Sequence, residues 1–249
     1  MKISIITVVL NMASTIEKTL ESVYNQTFTD YEYIIIDGGS TDGTKDLIMK
    51  WAPLFDTKMR IFFEKNDSGI YNAINHGISV AKGDIVGFIH ADDHLKDNTI
   101  FQLVIDSMEN KWVDLVYGNV DFVSNRNPNK IVRHYNSHRF TPDKLRYGFA
   151  PPHPSLYCKR KSYKLYGLYK EDYITAADFE MFARLFSHSK INYKFIPHTM
   201  VVMRQDGLSN KWRHRLSTNI FEKRRALREN HINVSIFALL RKYYYIFKS

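Results

Sequence analysis

The 249-residue chain has a single cysteine, Cys158, so no disulfide can form within it. Such sparse cysteine use is typical of proteins in a reducing compartment. The sequence has no apolar run near the roughly 20 residues that a membrane-spanning helix needs. Strand-like sequence begins at Ile3, which leaves no room for a signal peptide. We therefore expect a cytoplasmic protein that does not cross the membrane.

Two kinds of motif are also missing. No Gly-x-Gly-x-x-Gly motif opens the first predicted helix, which argues against a dinucleotide-dependent dehydrogenase. No internal repeat, low-complexity tract or clear linker interrupts the chain. A chain of this length can bury a full hydrophobic core, so we expect one large domain rather than an array of modules.

Charge is present but unevenly distributed. Residues 1–129 hold 11 Lys and Arg against 18 Asp and Glu, a net charge of −7. Residues 130–249 hold 24 against 8, a net charge of +16. An acidic half suits a bound cation, and a basic half suits phosphate groups or an anionic lipid surface. Nucleic acid is the competing partner for the basic half.

Apolar patterning alternates between strand-like and helix-like segments in the first half of the chain. Strands are predicted at 3–9, 31–36, 59–64, 85–89 and 113–117, with helices beginning near residues 14, 45, 70 and 98. The pattern after residue 118 predicts strands at 131–135, 155–158 and 199–204, and helices at 178–187 and 212–228. This alternation indicates βαβ units and a largely parallel sheet.

Polar residues follow the predicted strand ends, namely Asn11, Asp37, Asp67 and the pair Asp92 and Asp93. In an open parallel sheet, ligands bind beyond the carboxyl ends of the strands, so we expect these residues to converge on one crevice. Two adjacent carboxylates at the end of a buried strand repel each other and lose hydration, and a divalent cation offsets both effects. The alternative is a solvated turn with two surface acids.

Six stretches carry a resemblance to a known family: 4–11, 22–28, 33–44, 64–77, 83–93 and 177–180. Taken in order, they resemble the family 2 glycosyltransferases, in particular bacterial enzymes of O-antigen, capsule and exopolysaccharide assembly. The resemblance covers residues 2–205. It implies the GT-A fold, an α/β fold with a mostly parallel nucleotide-binding sheet and flanking helices. It also implies inverting transfer of a sugar from a nucleotide donor to an acceptor hydroxyl.

The same resemblance implies a set of donor-binding residues: Thr7, Val8, Asn11, Asp37, Asp67, Asn75 and Asp92. Asp37 is similar to the family carboxylate that accepts a hydrogen bond from the nucleotide base. A carboxylate suits the imide N–H of uracil, which favours a UDP-sugar, although guanine also offers donors. The alternative for Asp37 is an Asx turn that orders the glycine-rich loop, and the alternative for Asp67 is a helix N-cap.

Asp92 and Asp93 are expected to hold a divalent metal, Mn²⁺ or Mg²⁺, that bridges the diphosphate of the donor. The division of labour stays open, because Asp92 could instead meet the ribose while Asp93 binds the ion. His90 stands where relatives often carry Asp or Asn. Either it touches the metal or it packs at the end of the strand.

Asp178 is the expected general base, a role typically worth about 10²–10⁴ in rate. It is the remaining acid of a family Glu-Asp pair, since Ala177 occupies the first position. The alternative for Asp178 is an N-cap. Glu180 is the other candidate base, and otherwise a capping or surface residue. His153, in a proline-rich segment that resembles the acceptor side, either touches phosphate or acceptor or is a structural histidine.

We expect a catalytic domain at 1–210, with a donor half (1–117) and an acceptor half (118–210), and a helical extension at 211–249. The extension is amphipathic and begins with seven cations: Lys211, Arg213, Arg215, Lys223, Arg224, Arg225 and Arg228. Each cation close to an anionic membrane contributes about 1 kcal/mol to binding, so the extension is predicted to lie at the membrane surface. The alternative is a solvated face.

These features together predict a metal-dependent inverting hexosyltransferase of lipopolysaccharide or capsule biosynthesis. Its donor would be a UDP-sugar and its acceptor a polyprenyl-diphosphate-linked saccharide, at the inner face of the cytoplasmic membrane. One alternative is a nucleotide-sugar-binding protein without catalysis. Another is a nucleic-acid-binding protein, but the acidic strand ends would repel phosphate and would have no purpose.

Overall fold

The computed structural model describes residues 1–64, 69–187, 191–204, 212–234 and 239, and only the backbone of 212–217. Within these ranges the strands are β1 (Ile3–Val9), β2 (Tyr31–Asp37), β3 (Met59–Phe63), β4 (Ile85–Phe88), β5 (His94–Leu95), β6 (Leu115–Val123), β7 (Ile131–Tyr135), β8 (Tyr157–Lys159) and β9 (Tyr193–Arg204). The helices there are α1 (Ile16–Tyr24), α2 (Thr44–Phe55), α3 (Ile70–Val80), α4 (Ile100–Met108), α5 (Arg160–Tyr166), α6 (Ala177–Ser187) and α7 (Trp212–Glu229).

All of these strands belong to one sheet with the order β3-β2-β1-β4-β8-β6-β9-β5, and β7 pairs with β6 outside this path. The first four strands are parallel, which confirms the predicted parallel sheet for the donor half. Beyond β4 the sheet is mixed, because β8 is antiparallel to both of its neighbours while β9 runs parallel to β6. The prediction of a largely parallel sheet does not extend to the acceptor half.

Helices cover both faces of the parallel strands, which is why these strands are apolar on both sides. On β2, Ile34 and Ile36 point into one core together with residues of α3, α6 and α7. Tyr33 and Ile35 point into a second core together with residues of α1, α2 and α4. Alternate side chains of one strand therefore fill two separate cores, and the architecture has three layers.

The helix α3 approaches β1 unusually closely at Gly77. A Cβ atom at this position would lie 2.5 Å from Cγ2 of the buried Ile6. At the start of α1 the N-cap is Thr15, and its side chain makes no capping hydrogen bond. Glu17 instead accepts hydrogen bonds from Lys50 and Trp51 of α2. Glu17 thus ties two helices together rather than closing the end of one.

The helix α7 packs against α6 and shares its core. Ala226 and Leu227 are fully buried there, and Ile220 is nearly so. The described part of the predicted extension is therefore built onto the domain and is not a separate element. In the described ranges, no helix combines the length and the apolar character needed to cross a membrane.

Candidate active site

The carboxyl ends of β1, β2 and β4 meet at one edge of the sheet, because the three strands are parallel neighbours. The loop after β2 is tied to the end of β1: the Thr41 N–H donates to Asn11 Oδ1 at 2.9 Å, and the Asn11 N–H donates to Ser40 Oγ at 2.8 Å. Thr7 Oγ1 donates to the Ile89 carbonyl at 2.8 Å and joins the end of β1 to the end of β4. These strand ends form one continuous surface.

Asp37 is fully buried at the end of β2. Its Oδ1 accepts hydrogen bonds from the backbone N–H groups of Gly39, at 3.0 Å, and Ser40, at 2.9 Å, and Lys45 Nζ lies 3.7 Å from it. Its Oδ2 is buried and has no hydrogen-bond partner in the part of the chain that the structure describes. The Oδ1 atom therefore orders the loop, as in the Asx-turn interpretation. The Oδ2 atom is free to accept a hydrogen bond from a bound molecule.

Thr7 and Val8 are placed by the core. Thr7 is fully buried, and its Oγ1 lies 2.9 Å from the Tyr33 hydroxyl in addition to its bond with the end of β4. Val8 is partly buried and packs against the core on the α3 side. Their contacts with a nucleotide stay predictions, and the same holds for Asp67, which lies outside the described residues.

Asn75 lies on α3, and its amide is engaged within the protein. Nδ2 donates to the Tyr169 carbonyl at 2.8 Å and to Glu171 Oε1 at 2.8 Å, and Oδ1 accepts from the Tyr169 N–H at 2.9 Å. Asn72 donates to the other oxygen of Glu171 at 3.1 Å. In this arrangement Asn75 orders the loop that precedes α6, and its predicted contact with the donor would require an exchange of these bonds.

The acidic pair after β4 is divided between the crevice and the interior. Asp92 is partly exposed, and its negative charge acts on His90. Asp93 is 2% exposed, accepts a hydrogen bond from the Arg204 N–H, and has an Oδ2 atom without a partner among the described residues. Burial, together with the nearby charge of Asp92, raises the pKa of Asp93 well above its ordinary value.

The chemistry of this pair bears on the predicted divalent metal. In the described ranges, no group of three or more His, Cys, Asp and Glu side chains is arranged to hold a metal ion. A Mg²⁺ or Mn²⁺ ion that arrives with a diphosphate needs only one or two protein carboxylates, because phosphate oxygens and waters complete its shell. Asp92 fits that requirement. Asp93 is buried in this structure, and the predicted pair stays a prediction.

His90 packs against His153, with 5.7 Å between the ring centroids. His153 stacks on Phe88 at 4.8 Å, and its Nε2 lies 2.7 Å from the Tyr169 hydroxyl. Burial lowers the pKa of His90, although the charges of Asp92 and Asp178 oppose this shift. Burial, followed by the charge of His90, lowers the pKa of His153 to about 3. Packing at the strand end is the role of His90 that the geometry shows.

Asp178 lies in the first turn of α6. Its Oδ1 accepts a hydrogen bond from the Phe179 N–H at 2.7 Å. The hydroxyl oxygen of Tyr71, on α3, accepts hydrogen bonds from the backbone N–H groups of Ala177 and Asp178 and so fixes the start of the helix. Burial raises the pKa of Asp178, while the charge of Lys223, the Phe179 N–H and the charge of His90 act in the opposite direction.

Asp178, His90 and His153 line one cleft with a volume of about 300 Å³. The remaining lining residues come from β6, β7, the segment 148–154, the segment before α6, α6, β9 and α7: Phe122, Arg133, Tyr135, Gly148, Ala150, Pro151, Pro152, Pro154, Thr175, Phe179, Phe182, Met203, Asn219 and Lys223. The walls combine apolar and aromatic side chains with polar and charged ones, among them Arg133, Asn219 and Lys223. The predicted base thus opens onto a space large enough for part of a sugar.

Two residues of α7 belong to this site and were not predicted for it. Glu222 is buried and accepts hydrogen bonds from the Ile174 N–H at 2.6 Å and from the Thr175 N–H at 2.8 Å. Lys223 lines the cleft beside Asp178. The sequence showed only a basic helix, and nothing in that pattern indicated which residues face inward.

Comparison with known families supplies the remaining observation. Residues 4–165 match the sequence profile described as Glycosyl transferase family 2. The chain belongs to glycosyltransferase family 2. The match ends at residue 165, before α6 begins. It therefore supports the activity and the donor half of this glycosyltransferase, while the role of Asp178 stays a prediction.

Curated relatives of this glycosyltransferase agree with that assignment. It is 31% identical over 213 residues to a PGL/p-HBAD biosynthesis glycosyltransferase of Mycobacterium tuberculosis, which covers 83% of this chain and 78% of the relative. It is 30% identical over 199 residues to the chondroitin synthase of Pasteurella multocida. That match covers 76% of this chain but spans only 20% of the synthase.

Solved structures establish the fold. The S. aureus TarS 1-349 structure superimposes with a TM-score of 0.72 at 16% identity, covering 94% of this chain and 66% of TarS 1-349. The Pyrobaculum calidifontis mannosyltransferase PcManGT, solved with GDP-Man and Mn²⁺, gives 0.69 at 20% identity and covers 95% and 71%. This glycosyltransferase therefore has the GT-A fold that the sequence resemblance implied.

Glu180 is neither a surface residue nor a cap in this glycosyltransferase. It is fully buried and is paired with Arg184 at 2.9 Å and Lys170 at 3.1 Å, and Asn230 Nδ2 lies 3.3 Å from it. Its carboxylate faces away from solvent and is saturated by these contacts. The candidate base role of Glu180 is therefore wrong, because its carboxylate holds α6, α7 and the loop at Lys170 together.

The basic face of α7 also differs from its prediction. Lys223 lies in the cleft, and Arg225 forms ion pairs with Asp172 and with Glu229. Two of the seven predicted membrane cations are thus used within the protein. The side chains of the first three, before residue 218, lie outside the described residues.

Proposed function

We propose that this glycosyltransferase transfers a hexose from a nucleotide sugar to a hydroxyl group of a lipid-linked saccharide, with inversion at the anomeric carbon. A UDP-sugar is the favoured donor, and the product belongs to the assembly of a bacterial surface polysaccharide such as O-antigen or capsule. The observation that carries the proposal is the placement of Asp178 in the cleft beside His90, at the end of the strand that also leads to Asp92.

Donor binding is assigned to the edge formed by β2, β1 and β4. Asp37 Oδ2 is a buried carboxylate oxygen without a partner in the described ranges, and leaving such an atom unpaired costs about 1–3 kcal/mol. An imide N–H of uracil would satisfy it. TarS has been solved with UDP and with UDP-GlcNAc, and PcManGT with GDP-Man, so neighbours with this fold hold nucleotides of both kinds.

Asp92 is the residue proposed to hold the divalent ion together with the donor diphosphate. A bound Mg²⁺ or Mn²⁺ would act as a Lewis acid on the leaving nucleoside diphosphate, which gains negative charge as the glycosidic bond breaks. The stack of His90 and His153 borders this place.

Asp178 is proposed to be the general base. The acceptor hydroxyl oxygen forms a bond to the anomeric carbon while the bond from that carbon to the diphosphate oxygen breaks, and Asp178 takes the hydroxyl proton. A single displacement of this kind inverts the anomeric centre. Phe179 and Tyr71 hold the carboxylate and its helix turn in place, so little reorganisation is needed during transfer.

The acceptor is proposed to be presented at a membrane surface. Phe221 is 60% exposed on α7, and it lies with Arg224 and Arg228 along a surface groove on the side of the helix away from the fully buried Ala226 and Leu227. An exposed aromatic ring among cations suits an anionic interface. The name of the mycobacterial relative places it in PGL/p-HBAD biosynthesis.

The proposal is tested with a panel of nucleotide sugars. The full chain is incubated with UDP-, GDP- and TDP-hexoses, Mg²⁺ or Mn²⁺, and a synthetic lipid-diphosphate-linked monosaccharide, and release of nucleoside diphosphate is measured. We expect turnover with a UDP-sugar, loss of turnover with EDTA, and at least a 100-fold lower rate for Asp178→Asn, about the lower limit for a general base. Tight binding of donor without turnover by any acceptor would instead indicate a sugar-nucleotide-binding protein.

Membrane attachment is tested separately. Vesicles that contain anionic lipid should sediment the protein at low salt, and zwitterionic vesicles should not, because the attraction is screened by salt. Equal sedimentation with both kinds of vesicle, or with neither, would refute the membrane part of the proposal and leave the transfer reaction unaffected.

A further inference from the structure

The C-terminal helix α7 brings a lysine into the catalytic cleft. Lys223 lines the cleft together with Asp178. Its Nζ lies 5.3 Å from the ring centroid of Phe179, the residue next to Asp178. An ammonium group over an aromatic face at this distance gains a favourable cation–π interaction, which holds the cation near the carboxylate.

The residues before and after Lys223 in the sequence fix the position of its backbone. The preceding residue, Glu222, is buried and accepts three hydrogen bonds from Ile174 and Thr175, in the segment that leads into α6. The first turn after Lys223 brings Ala226 and Leu227, both fully buried in the core. The backbone at Lys223 is therefore held at the wall of the cleft.

The groups around Asp178 come from four elements. Lys223 faces it from α7, His90 from the end of β4, Tyr71 from α3, and Tyr169 from the loop before α6. Burial lowers the pKa of His90 and raises the pKa of both tyrosines. Of the charges that act on the Asp178 carboxylate, that of Lys223 has the largest effect.

A partly buried lysine carries an energetic penalty. Burial lowers the pKa of Lys223, and the charge of Asp178 opposes that shift. An apolar residue of the same length would fit a wall that already contains Phe179, Phe182 and Met203. A charged group that destabilises its own surroundings, next to a catalytic group, is typical of a functional position.

We propose that Lys223 is a positioning residue for Asp178: its ammonium group keeps the Asp178 carboxylate ionised and directed into the cleft when donor and acceptor displace water from it. This inference rests on the proposed role of Asp178 as the base. Lys223 acts through the carboxylate and makes no contact with the donor. It follows that the active site of this glycosyltransferase needs a residue 45 positions further along the chain than its base, since 223 and 178 differ by that number.

The test compares Lys223→Met, which keeps length and removes charge, with Lys223→Arg, which keeps the charge. With the best donor and acceptor of the panel, Lys223→Met should lower kcat about 10- to 100-fold at neutral pH, a smaller effect than loss of the base itself. Its donor KM and its UDP affinity by calorimetry should stay within about twofold of wild type, and Lys223→Arg should recover much of kcat. Lys164→Met, an exposed lysine of α5, is the control and should leave kcat unchanged.

A second readout separates positioning from a structural role. Without the ammonium group, Asp178 should stay protonated to higher pH, so the acidic limb of kcat/KM should move to higher pH. Because the substitution removes a desolvated charge, the melting temperature should not fall. A fall in kcat with an unmoved limb and a lower melting temperature would overturn the inference.

Two further outcomes are decisive. A large rise in donor KM or loss of UDP affinity in Lys223→Met would show that Lys223 binds the diphosphate, which contradicts the inference. In the double variant Lys223→Met with Asp178→Asn, the loss in kcat should be no larger than in Asp178→Asn alone, because the lysine has no base left to act on. If the wild type itself transfers no sugar, or if Asp178→Asn retains full activity, the proposed function is refuted. Such a failure is distinguishable from a failure of the inference about Lys223, which requires an active wild type and an inactive Asp178→Asn.

Discussion

Glu222 offers the sharpest test of how α7 and the catalytic helix are joined. Its carboxylate accepts hydrogen bonds from Ile174 N–H at 2.6 Å, Thr175 N–H at 2.8 Å and Thr175 Oγ1 at 2.9 Å, and it is 9% exposed. Hydrogen bonds to a charged group each contribute about 1.5–3 kcal/mol, and a backbone N–H left without a partner costs about 1–3 kcal/mol. Glu222→Ala removes all three acceptor contacts, so we expect a loss of about 3–5 kcal/mol.

Glu222→Gln is the more informative variant because it keeps one acceptor oxygen. We expect a loss of about 1–2 kcal/mol, which for a chain of this size lowers the melting temperature by roughly 2–8 °C. The urea midpoint should fall with an unchanged slope, and kcat should fall as well, since Thr175 precedes Asp178 by three residues. Glu109→Gln, at an exposed position after α4, is the control. If Glu222→Gln and Glu109→Gln unfold at the same urea concentration, the anchoring role is refuted.

Three other predictions follow from the same contacts. Burial raises the pKa of Asp178, and the base works only when it is ionised. We therefore expect kcat/KM to fall with decreasing pH at a pH above the pKa of an ordinary aspartate. A value of kcat/KM that stays constant down to about pH 4 in folded protein would contradict this. Glu180→Ala leaves Arg184 buried without its partner and should destabilise the protein by about 3–5 kcal/mol in urea titrations; a loss below about 1 kcal/mol would show that the pair is not anchoring. Gly87→Ala would place a Cβ atom 2.4 Å from the buried ring of Tyr157 and should cost about 1–3 kcal/mol, whereas an unchanged urea midpoint would mean that the ring can move aside.

Much of the donor half follows from local pattern. The strand at 31–36 and the helix beginning at 70 were predicted within one residue of their observed ends, because two-sided burial leaves a continuous apolar run and one-sided burial leaves a helical stripe. The strand predicted at 131–135 was also confirmed. In such segments the local apolar pattern reflects which side chains are buried, so the sequence is enough to predict the strand or helix.

The acceptor half is less local. The strand predicted at 199–204 begins at Tyr193, and most of its pairing is with β6, more than 70 residues earlier in the chain. Its partner is chosen by tertiary packing, which no window of sequence reveals. For the same reason the sequence did not predict that Lys223 and Glu222 belong to the site. The basic pattern of α7 does not show which side faces inward, because the contact with α6 determines that side.

The roles of individual site residues could likewise be predicted only in part. The sequence indicated two interpretations of Asp37, and the structure shows one of its oxygens bound by the loop and the other without a partner among the described residues. For Glu180 the sequence offered a base, a cap or a surface residue, and the structure shows a buried ion pair. Burial and ion pairing depend on the folded chain, so a carboxylate in a sequence motif does not predict them.

The late position of α7 has a consequence for synthesis on the ribosome. The donor edge is complete once residues up to Leu95 have emerged, whereas the cleft lacks its last wall until α7, which begins at Trp212, follows. At about 5–20 residues per second, these 117 residues, counted from 95 to 212, take roughly 6–23 s to synthesise. During that interval the nascent chain holds the four parallel strands but lacks the complete cleft, so the site that contains Asp178 is finished last.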